Sequence, residues 1–298
     1  MPETELDMIA VTGATGKLGH HVMDGLLKNA TSSSLRALVR DTAKAARLAA
    51  ANVDVRRADY DNPSSLAPAL EGVDTVLLIS ANQVGRRLPQ HLAVLEAAVK
   101  AGVRRIVYTS LLRASTSTLA LAGEHKATEE AIRNSGLAFV ILRNGWYTEN
   151  HTGQMPVILQ HGAIVGAAGN GRFASATRAD YAAAAVAVLT SSGHDGKTYE
   201  LAGDHAFTLT DLAEEISRQT GRSISYTNLP ADAYRGVLTG AGVPAEFADI
   251  LVDSDLKAAA GELDDNTGEL RTLIGRPTTP LADAVSTALA AAGRGKEG

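Results

Sequence analysis

Short runs rich in Val, Ile and Leu alternate with amphipathic stretches through the first half of the chain. MIAVT (8–12), LRALVR (35–40), VDVRRA (53–58), DTVLLIS (74–80), RRIVYTS (104–110) and LAFVILR (137–143) read as strands. Between them, 17–29, 41–51, 63–71, 87–101 and 123–135 read as helices. Pro63 opens the third of these helices and Gly102 closes the fourth. Strands this continuously apolar are covered on both faces, as in a parallel sheet flanked by helices. The pattern predicts an α/β fold: a Rossmann-type doubly wound parallel sheet.

After Arg143 the rhythm changes. Residues 144–176 are rich in Gly, His, Asn and Gln. YAAAAVAVLT (181–190) is helical again, and KTYELAG (197–203) and SISYTNL (223–229) read as short strands. Residues 208–221 form a helix capped by Thr208 or Thr210 and stopped by Gly221, and the rest is helical. The expected organisation is a dinucleotide-binding part over 8–150 and a smaller, mixed C-terminal region over 151–298. The second region would complete a substrate pocket, with some of its elements free to return to the first part. No Pro- or Ser-rich linker marks a boundary, so a shared interface is expected. The Ala-rich stretches 181–187 and 283–292 read as helix-packing surfaces.

Composition narrows the classes. The chain has 298 residues, 45% hydrophobic and 20% charged, which suits a soluble globular protein with a large core. The absence of cysteine excludes disulfides, thiolate nucleophiles and Cys-ligated metals. A net charge of −5 without a basic run argues against non-specific nucleic-acid binding. No apolar stretch suits a membrane span, and MPETELD reads as a short acidic tail rather than a signal segment. There is no H-E-x-x-H and no His–carboxylate cluster, so no metal is expected. These features fit a cytoplasmic protein with a small-molecule substrate and no membrane insertion, and they leave a homo-oligomer open.

The first strand runs straight into Gly13-Ala14-Thr15-Gly16-Lys17-Leu18-Gly19, a G-x-x-G-x-x-G loop that opens a helix. Such a loop lets the backbone approach a pyrophosphate, with the helix N–H groups and positive end facing the anion. Gly13 would make the tight turn, Gly16 the close approach and Gly19 the helix–strand contact. At the end of the second strand, an acidic residue would favour NAD and a basic one NADP. Here Arg40 stands there, with Lys44 four residues on, and the pair points to a 2′-phosphate. The other reading is two solvated surface cations, with Asp41 neutralising Arg40. Asp59 can accept a hydrogen bond from the adenine amino group or serve as a turn residue before Asn62-Pro63.

Ser80-Ala81-Asn82 leaves the fourth strand and Thr109-Ser110 the fifth, at the edge where ribose and nicotinamide would run. Ser and Asn also favour turns for local reasons. Arg172, in the turn Gly169–Phe173, can reach a cofactor or substrate or stay solvated.

TGATGKLG, the VYTS strand end and the LRNGWY segment resemble the short-chain dehydrogenase superfamily, and more narrowly its atypical, NmrA-like branch. LLISANQVG, TSLL, EHKATE, LRNGWYTEN and SATRADYAAAA follow in the order expected of the bacterial NAD(P)H:quinone oxidoreductase type 2 family. The resemblance covers nearly all of 8–290. It implies that Gly145, Trp146, Tyr147, Thr148, Glu149 and Asn150 run along the nicotinamide half of NADPH. Asn144 could then hydrogen-bond a quinone oxygen, Ser110 could touch nicotinamide or substrate, and Trp146 and Tyr147 could wall a flat ring. Trp146 could equally plug the join between the two regions.

Ordinary members of the superfamily carry Tyr-x-x-x-Lys on the helix after the fifth strand, where the tyrosine moves a proton to or from an alcohol oxygen. No Tyr-x-x-x-Lys occurs in this chain. If Lys126 takes the lysine position, the tyrosine position holds Ala122. Two readings remain. One is flavin-free hydride transfer from NADPH to a quinone, whose hydroquinone anion solvent can protonate; cationic dyes are near neighbours as acceptors. The other is a non-catalytic NmrA-like NADP(H) sensor acting through a protein partner. On the same helix His125 and Glu129, spaced i, i+4, could relay protons or form a surface ion pair.

Overall fold

The computed structural model describes residues 7–294; the segment 1–6, most of the acidic tail read above, lies outside them. The elements of the first half are β1 (Ile9–Thr12), α1 (Lys17–Asn29), β2 (Leu35–Val39), α2 (Ala46–Ala50), β3 (Asp54–Arg57), α3 (Leu66–Leu70), β4 (Thr75–Leu78), α4 (Arg87–Lys100), β5 (Arg105–Leu111), α5 (Ala122–Arg133) and β6 (Ala138–Asn144). There follow α6 (Glu149–Thr152), α7 (Met155–His161), β7 (Ala163–Gly166), α8 (Arg178–Thr190), β8 (Lys197–Leu201), α9 (Leu209–Thr220), β9 (Ser225–Asn228), α10 (Ala231–Gly240), α11 (Ala245–Ala259), α12 (Glu269–Ile274) and α13 (Leu281–Arg294). The chain forms two compact units interleaved along the sequence. One comprises the described residues up to Ala114, Gly123–Asn144 and Arg178–Glu200; the other comprises Ser115–Ala122, Gly145–Thr177 and Leu201 onward. Residue 150 is therefore not a dividing point: 145–150 lie in the second unit, and α8 with most of β8 in the first.

The first unit is built on a seven-stranded sheet ordered β3-β2-β1-β4-β5-β6-β8. The pairs from β3 through β6 are parallel, with Ile9 opposite both Leu35 and Thr75. Every residue of β1, β2 and β4 is buried, which explains their largely apolar runs; the exception in β2, Arg36, donates to Asp54 and to the carbonyls of Ala69 and Glu71. Strand order reverses between β1 and β4, the position where open α/β sheets bind ligands. Leu38, Val76, Leu78, Val94, Ile106, Tyr108 and Ile132 share one core cluster on this sheet. On α8, Tyr181, Ala182, Ala184 and Ala185 are buried. A Cβ added at Gly25 of α1 would stand 2.7 Å from Cγ2 of Val186, so these two helices pack through small residues. The Ala-rich stretch 181–187 is that packing surface.

In the second unit β7 and β9 form a two-stranded parallel sheet, Ala163 opposite Ser225. Of the two caps considered for α9, Thr208 is the one used. Its side chain accepts from Asp211 N–H while the Asp211 carboxylate accepts from Thr208 N–H, and Gly221 ends the helix at φ 67°. The stretch 144–176, aperiodic in sequence, contains α6, α7 and β7. Elements of four to seven residues are too short to register a periodicity.

Asp255 of α11 is buried, and its carboxylate accepts the Ala167 N–H at 2.7 Å. Desolvation raises its pKa from 3.8 to about 6. The folded state therefore holds a proton there that the unfolded chain has lost by pH 5. The associated stabilisation is complete below pH 4 and is lost as pH rises through about 6, a swing of about 3 kcal/mol. Asp255→Asn keeps an acceptor for Ala167 and removes the titration. Denaturant unfolding is expected to show the variant gaining on the parent between pH 4 and pH 8; a variant that loses ground over that range contradicts this account.

Candidate active site

β1 ends at Thr12, and Gly13 takes φ +58°, a left-handed conformation that side chains disfavour. The Gly16 N–H donates to Gly13 O at 2.8 Å, closing the turn. A Cβ at Gly16 would lie 3.1 Å from Gly13 O; at Gly19 it would lie 2.2 Å from that oxygen and 2.9 Å from Ala14 Cα. Gly19 is thus the residue that lets α1 sit against its own entry loop. Gly16 caps α1 without a side-chain hydrogen bond, and no acidic residue occupies the first turn. Thr15, Gly16 and Lys17 are exposed, whereas Ala14 and Leu18 are buried below them. Open amide donors, a positive helix end and missing Cβ atoms together fit a pyrophosphate.

Arg40 and Lys44 are exposed just past β2. Asp41 does not neutralise them: its side chain accepts from Ala43 N–H at 3.0 Å and caps the short turn 42–45. Arg40 lies close enough to Tyr60 to oppose the burial-driven rise in that phenol's pKa. Asp59 is part of a turn: its carboxylate accepts from Asp61 N–H at 3.1 Å and it bridges to Asn62.

Ser80 and Ala81 are half-buried past β4, and Asn82 is exposed. The backbone here no longer follows the ladder. Ile79 N–H donates to Thr12 Oγ1 at 2.9 Å. Tyr60 Oη lies 2.5 Å from Thr12 Oγ1 and 3.0 Å from Ile79 O. With Thr12 donating to Tyr60 and Tyr60 to Ile79 O, all three groups are satisfied in a closed ring. Ser80 N–H donates to Thr109 Oγ1 at 2.9 Å. Of these partners, Tyr60 lay outside every motif read from the sequence.

At the ends of β5 and β6, Ser110 Oγ donates to Glu129 Oε1 at 2.6 Å. Arg143 grips Glu129 through Nε and Nη2, at 2.9 and 2.7 Å, and its Nη1 donates to Glu200 at 2.7 Å. Ser110, Glu129, Arg143 and Asn144 are all buried. The surface pair expected between His125 and Glu129 does not form. Helical spacing placed both on one helix, but each is buried on its own partner: Tyr108 Oη lies 2.7 Å from His125 Nδ1, and Glu129 belongs to Arg143. Burial drives the His125 pKa well below its usual value, with the charge of Arg87 acting the same way. Lys126 is exposed and Ala122 is buried, so with Lys126 in the lysine position α5 lacks the tyrosine of a Tyr-x-x-x-Lys relay.

In the second unit the loop after Gly145 is pinned by backbone bonds. Gly145 N–H donates to Leu201 O at 2.8 Å, Thr148 N–H to Ala176 O at 2.9 Å, and Ala176 N–H to Trp146 O at 3.3 Å. Trp146, Tyr147, Glu149 and Asn150 are half-buried and Thr148 is buried. Beside them the His151 ring meets Phe173 edge-on at 4.6 Å and Phe207 at 5.7 Å, a contact no motif announced. Arg172 donates to Ala206 O at 2.8 Å and lies 3.4 Å from Asp264, so it braces its own turn. Among the described residues no group of His, Asp and Glu could hold a metal, and no helix is long and apolar enough to cross a membrane.

Gly19→Ala forces a methyl into Gly13 O. We expect it to weaken nucleotide binding by at least about tenfold, the equivalent of 1.4 kcal/mol. Titration calorimetry with NADPH checks this; unchanged affinity would contradict the geometry.

The chain matches the NAD(P)H-binding family over residues 13–192. It is 52% identical to quinone oxidoreductase 2 of Escherichia coli K12 over 279 residues, 94% of this chain and 98% of that protein. The crystal structure of the NADPH-dependent quinone oxidoreductase of Escherichia coli, complexed with NADPH, superposes with TM-score 0.92 at 51% identity, covering 95% of this chain and 100% of the other. The triphenylmethane reductase of Citrobacter sp. complexed with NADP(H) gives TM-score 0.90 at 39% identity, covering 94% and 99%. This chain belongs to the NAD(P)H:quinone oxidoreductase type 2 family, within the NmrA-like branch of the atypical short-chain dehydrogenases.

Proposed function

We propose that the protein reduces quinones to hydroquinones with NADPH, two electrons at a time and without flavin. The overall change is quinone plus NADPH plus one proton giving hydroquinone and NADP+. The observation that supports this reading, within a family that includes a quinone reductase, is that α5 has no tyrosine: with Lys126 in the lysine position, the tyrosine position holds buried Ala122. Such a site suits an acceptor whose reduced anion is aromatic and needs no acid from the protein.

Bound NADPH supplies the hydride. The chain's residues bind and orient. Gly13, Ala14, Thr15, Gly16, Lys17, Leu18 and Gly19 cradle the pyrophosphate, and Arg40 and Lys44 hold the 2′-phosphate. Asp59, Ser80, Ala81 and Asn82 line the adenosine and ribose path, and Gly145 to Asn150 the nicotinamide path. Ser110 donates its hydroxyl hydrogen bond to the Glu129 carboxylate, so toward the acceptor it offers a lone pair. Asn144 serves as the hydrogen-bonding group for a quinone oxygen, and Trp146 and Tyr147 as walls for its ring, with Arg172 at the margin. Rate then comes from proximity and orientation. The protein works in the cytoplasm, where NADPH is supplied. The likeness to a triphenylmethane reductase adds cationic dyes to the acceptors worth testing.

Two measurements test this. With a panel of benzoquinones, naphthoquinones and a triphenylmethane dye, and no added flavin, nicotinamide absorbance is expected to fall with at least one quinone; no quinone turnover overturns the proposal. Arg40→Asp is expected to lower the NADPH-to-NADH ratio of kcat/KM by at least about tenfold, the loss of one charge-assisted contact. An unchanged ratio removes Arg40 from cofactor selection.

A further inference from the structure

α4 buries three polar residues, Arg87, Gln90 and His91, spaced i, i+3 and i+4 on one face. A helix covering a parallel sheet does this with apolar residues, and buried polar groups persist only with partners. Two of the three share one partner residue. Ala81 donates its N–H to His91 Nε2 at 2.9 Å, and its carbonyl accepts from Arg87 Nε at 2.7 Å. Both polar groups of a single residue, three positions past the end of β4, are thus held by side chains one helical turn apart.

The proton positions follow. An amide can only donate, so His91 Nε2 carries the lone pair and the neutral ring holds its proton on Nδ1. Nδ1 lies 3.0 Å from Thr128 Oγ1, and Thr128 Oγ1 donates in turn to Glu124 O at 2.8 Å. The chain from Ala81 through His91 and Thr128 to the α5 backbone is therefore ordered and complete. Burial keeps this ring neutral, its pKa pushed down to about 3. Arg87 has its own support: Nη1 lies 3.5 Å from Glu124 Oε2. The same carboxylate accepts from the N–H groups of Gly85 and Leu88, at 3.2 and 3.3 Å, at the amino end of α4. Glu124 and Thr128, i and i+4 on α5, thus set Arg87 and His91, i and i+4 on α4.

The held backbone borders the reversal of strand order between β1 and β4. A Cβ at Gly13 would stand 4.0 Å from Ile79 Cβ, so the segment entering Ser80–Asn82 faces the glycine loop. We propose that His91 and Arg87, set by Thr128 and Glu124, are positioning residues for the cofactor, fixing the Ser80–Asn82 backbone against which the bound nucleotide lies. This rests on the cofactor role proposed above for residues 80–82. A merely structural role would lower stability and every kinetic constant together. A positioning role weakens NADPH selectively.

The test compares His91→Leu, His91→Gln, Arg87→Met and Thr128→Val with the parent. Affinity for NADPH is read by calorimetry without acceptor, KM for a benzoquinone at saturating NADPH, and unfolding temperature alongside. His91→Leu leaves the Ala81 N–H without an acceptor and is expected to weaken NADPH about tenfold. Arg87→Met is expected to do the same, with quinone KM within about twofold of the parent for both. His91→Gln restores an acceptor at the same reach and is expected to recover affinity to within about threefold of the parent. Nitrogen NMR of the parent is expected to show His91 protonated on Nδ1 and bare on Nε2. Parental NADPH affinity in His91→Leu, proportional losses in NADPH and quinone constants, or an Nε2-protonated His91 would each overturn the inference. Should His91→Leu fail to fold, Thr128→Val decides: a loss of about threefold or more in NADPH affinity supports it and parental affinity overturns it. Because binding is read without acceptor, a parent that binds NADPH and reduces no quinone sinks the proposed activity alone. A parent that turns over quinones beside an unaffected His91→Leu sinks this inference alone.

Discussion

A parallel ladder stops supplying hydrogen bonds where its strands end, and each backbone group beyond that point must find another partner or water. In this protein the carboxyl ends of the central strands are held by side chains. Past β4, Thr12 and Tyr60 satisfy Ile79, Thr109 satisfies Ser80, and His91 with Arg87 satisfy Ala81. At β5 and β6, Glu129 orders both Ser110 and Arg143, and Glu200 accepts from Arg143 and from the Arg113 N–H. The amino end of α1 is treated in the opposite way. Its donors receive no side-chain cap, and the glycines before it leave room for a ligand. Strand ends held by side chains and a helix end that is left open suit the receipt of an anion and its nucleotide.

α5 links these features to chemistry. In relatives with Tyr-x-x-x-Lys this helix handles protons. Here Ala122, His125, Thr128 and Glu129 are buried and Lys126 is solvent-facing. Thr128 and Glu124 support α4, His125 meets Tyr108, and Glu129 neutralises Arg143. Burial holds the His125 pKa well below its usual value, and Glu129 is paired with Arg143, so both are engaged in packing the helix in place. A helix devoted to orientation suits an acceptor that makes no demand for an acid.

Much of this was legible in the chain. Apolar runs located β1, β2, β4, β5 and β6 because strands covered on both faces are largely apolar. The glycine loop was legible because backbone geometry there tolerates no Cβ. Thr208 and Gly221 marked α9 because capping is local. The rest depends on contacts distant in sequence. His91 and Arg87 look like ordinary helix residues until Ala81 is seen between them, although two polar residues on the face of α4 that should be apolar were a usable signal. The spacing of His125 and Glu129 suggested a pair, and packing gave each a different partner. Arg40 and Asp41 are adjacent, yet the aspartate caps its own turn. α6, α7 and β7 are too short to leave a periodic trace.

The most direct measurement mixes the flavin-free protein, loaded with NADPH, with a benzoquinone under anaerobic single-turnover conditions. If hydride passes directly to the quinone, nicotinamide absorbance decays at once, and the decay slows several-fold when the transferred C4 hydrogen is deuterium. A decay that needs added flavin, or none at all, would contradict the account.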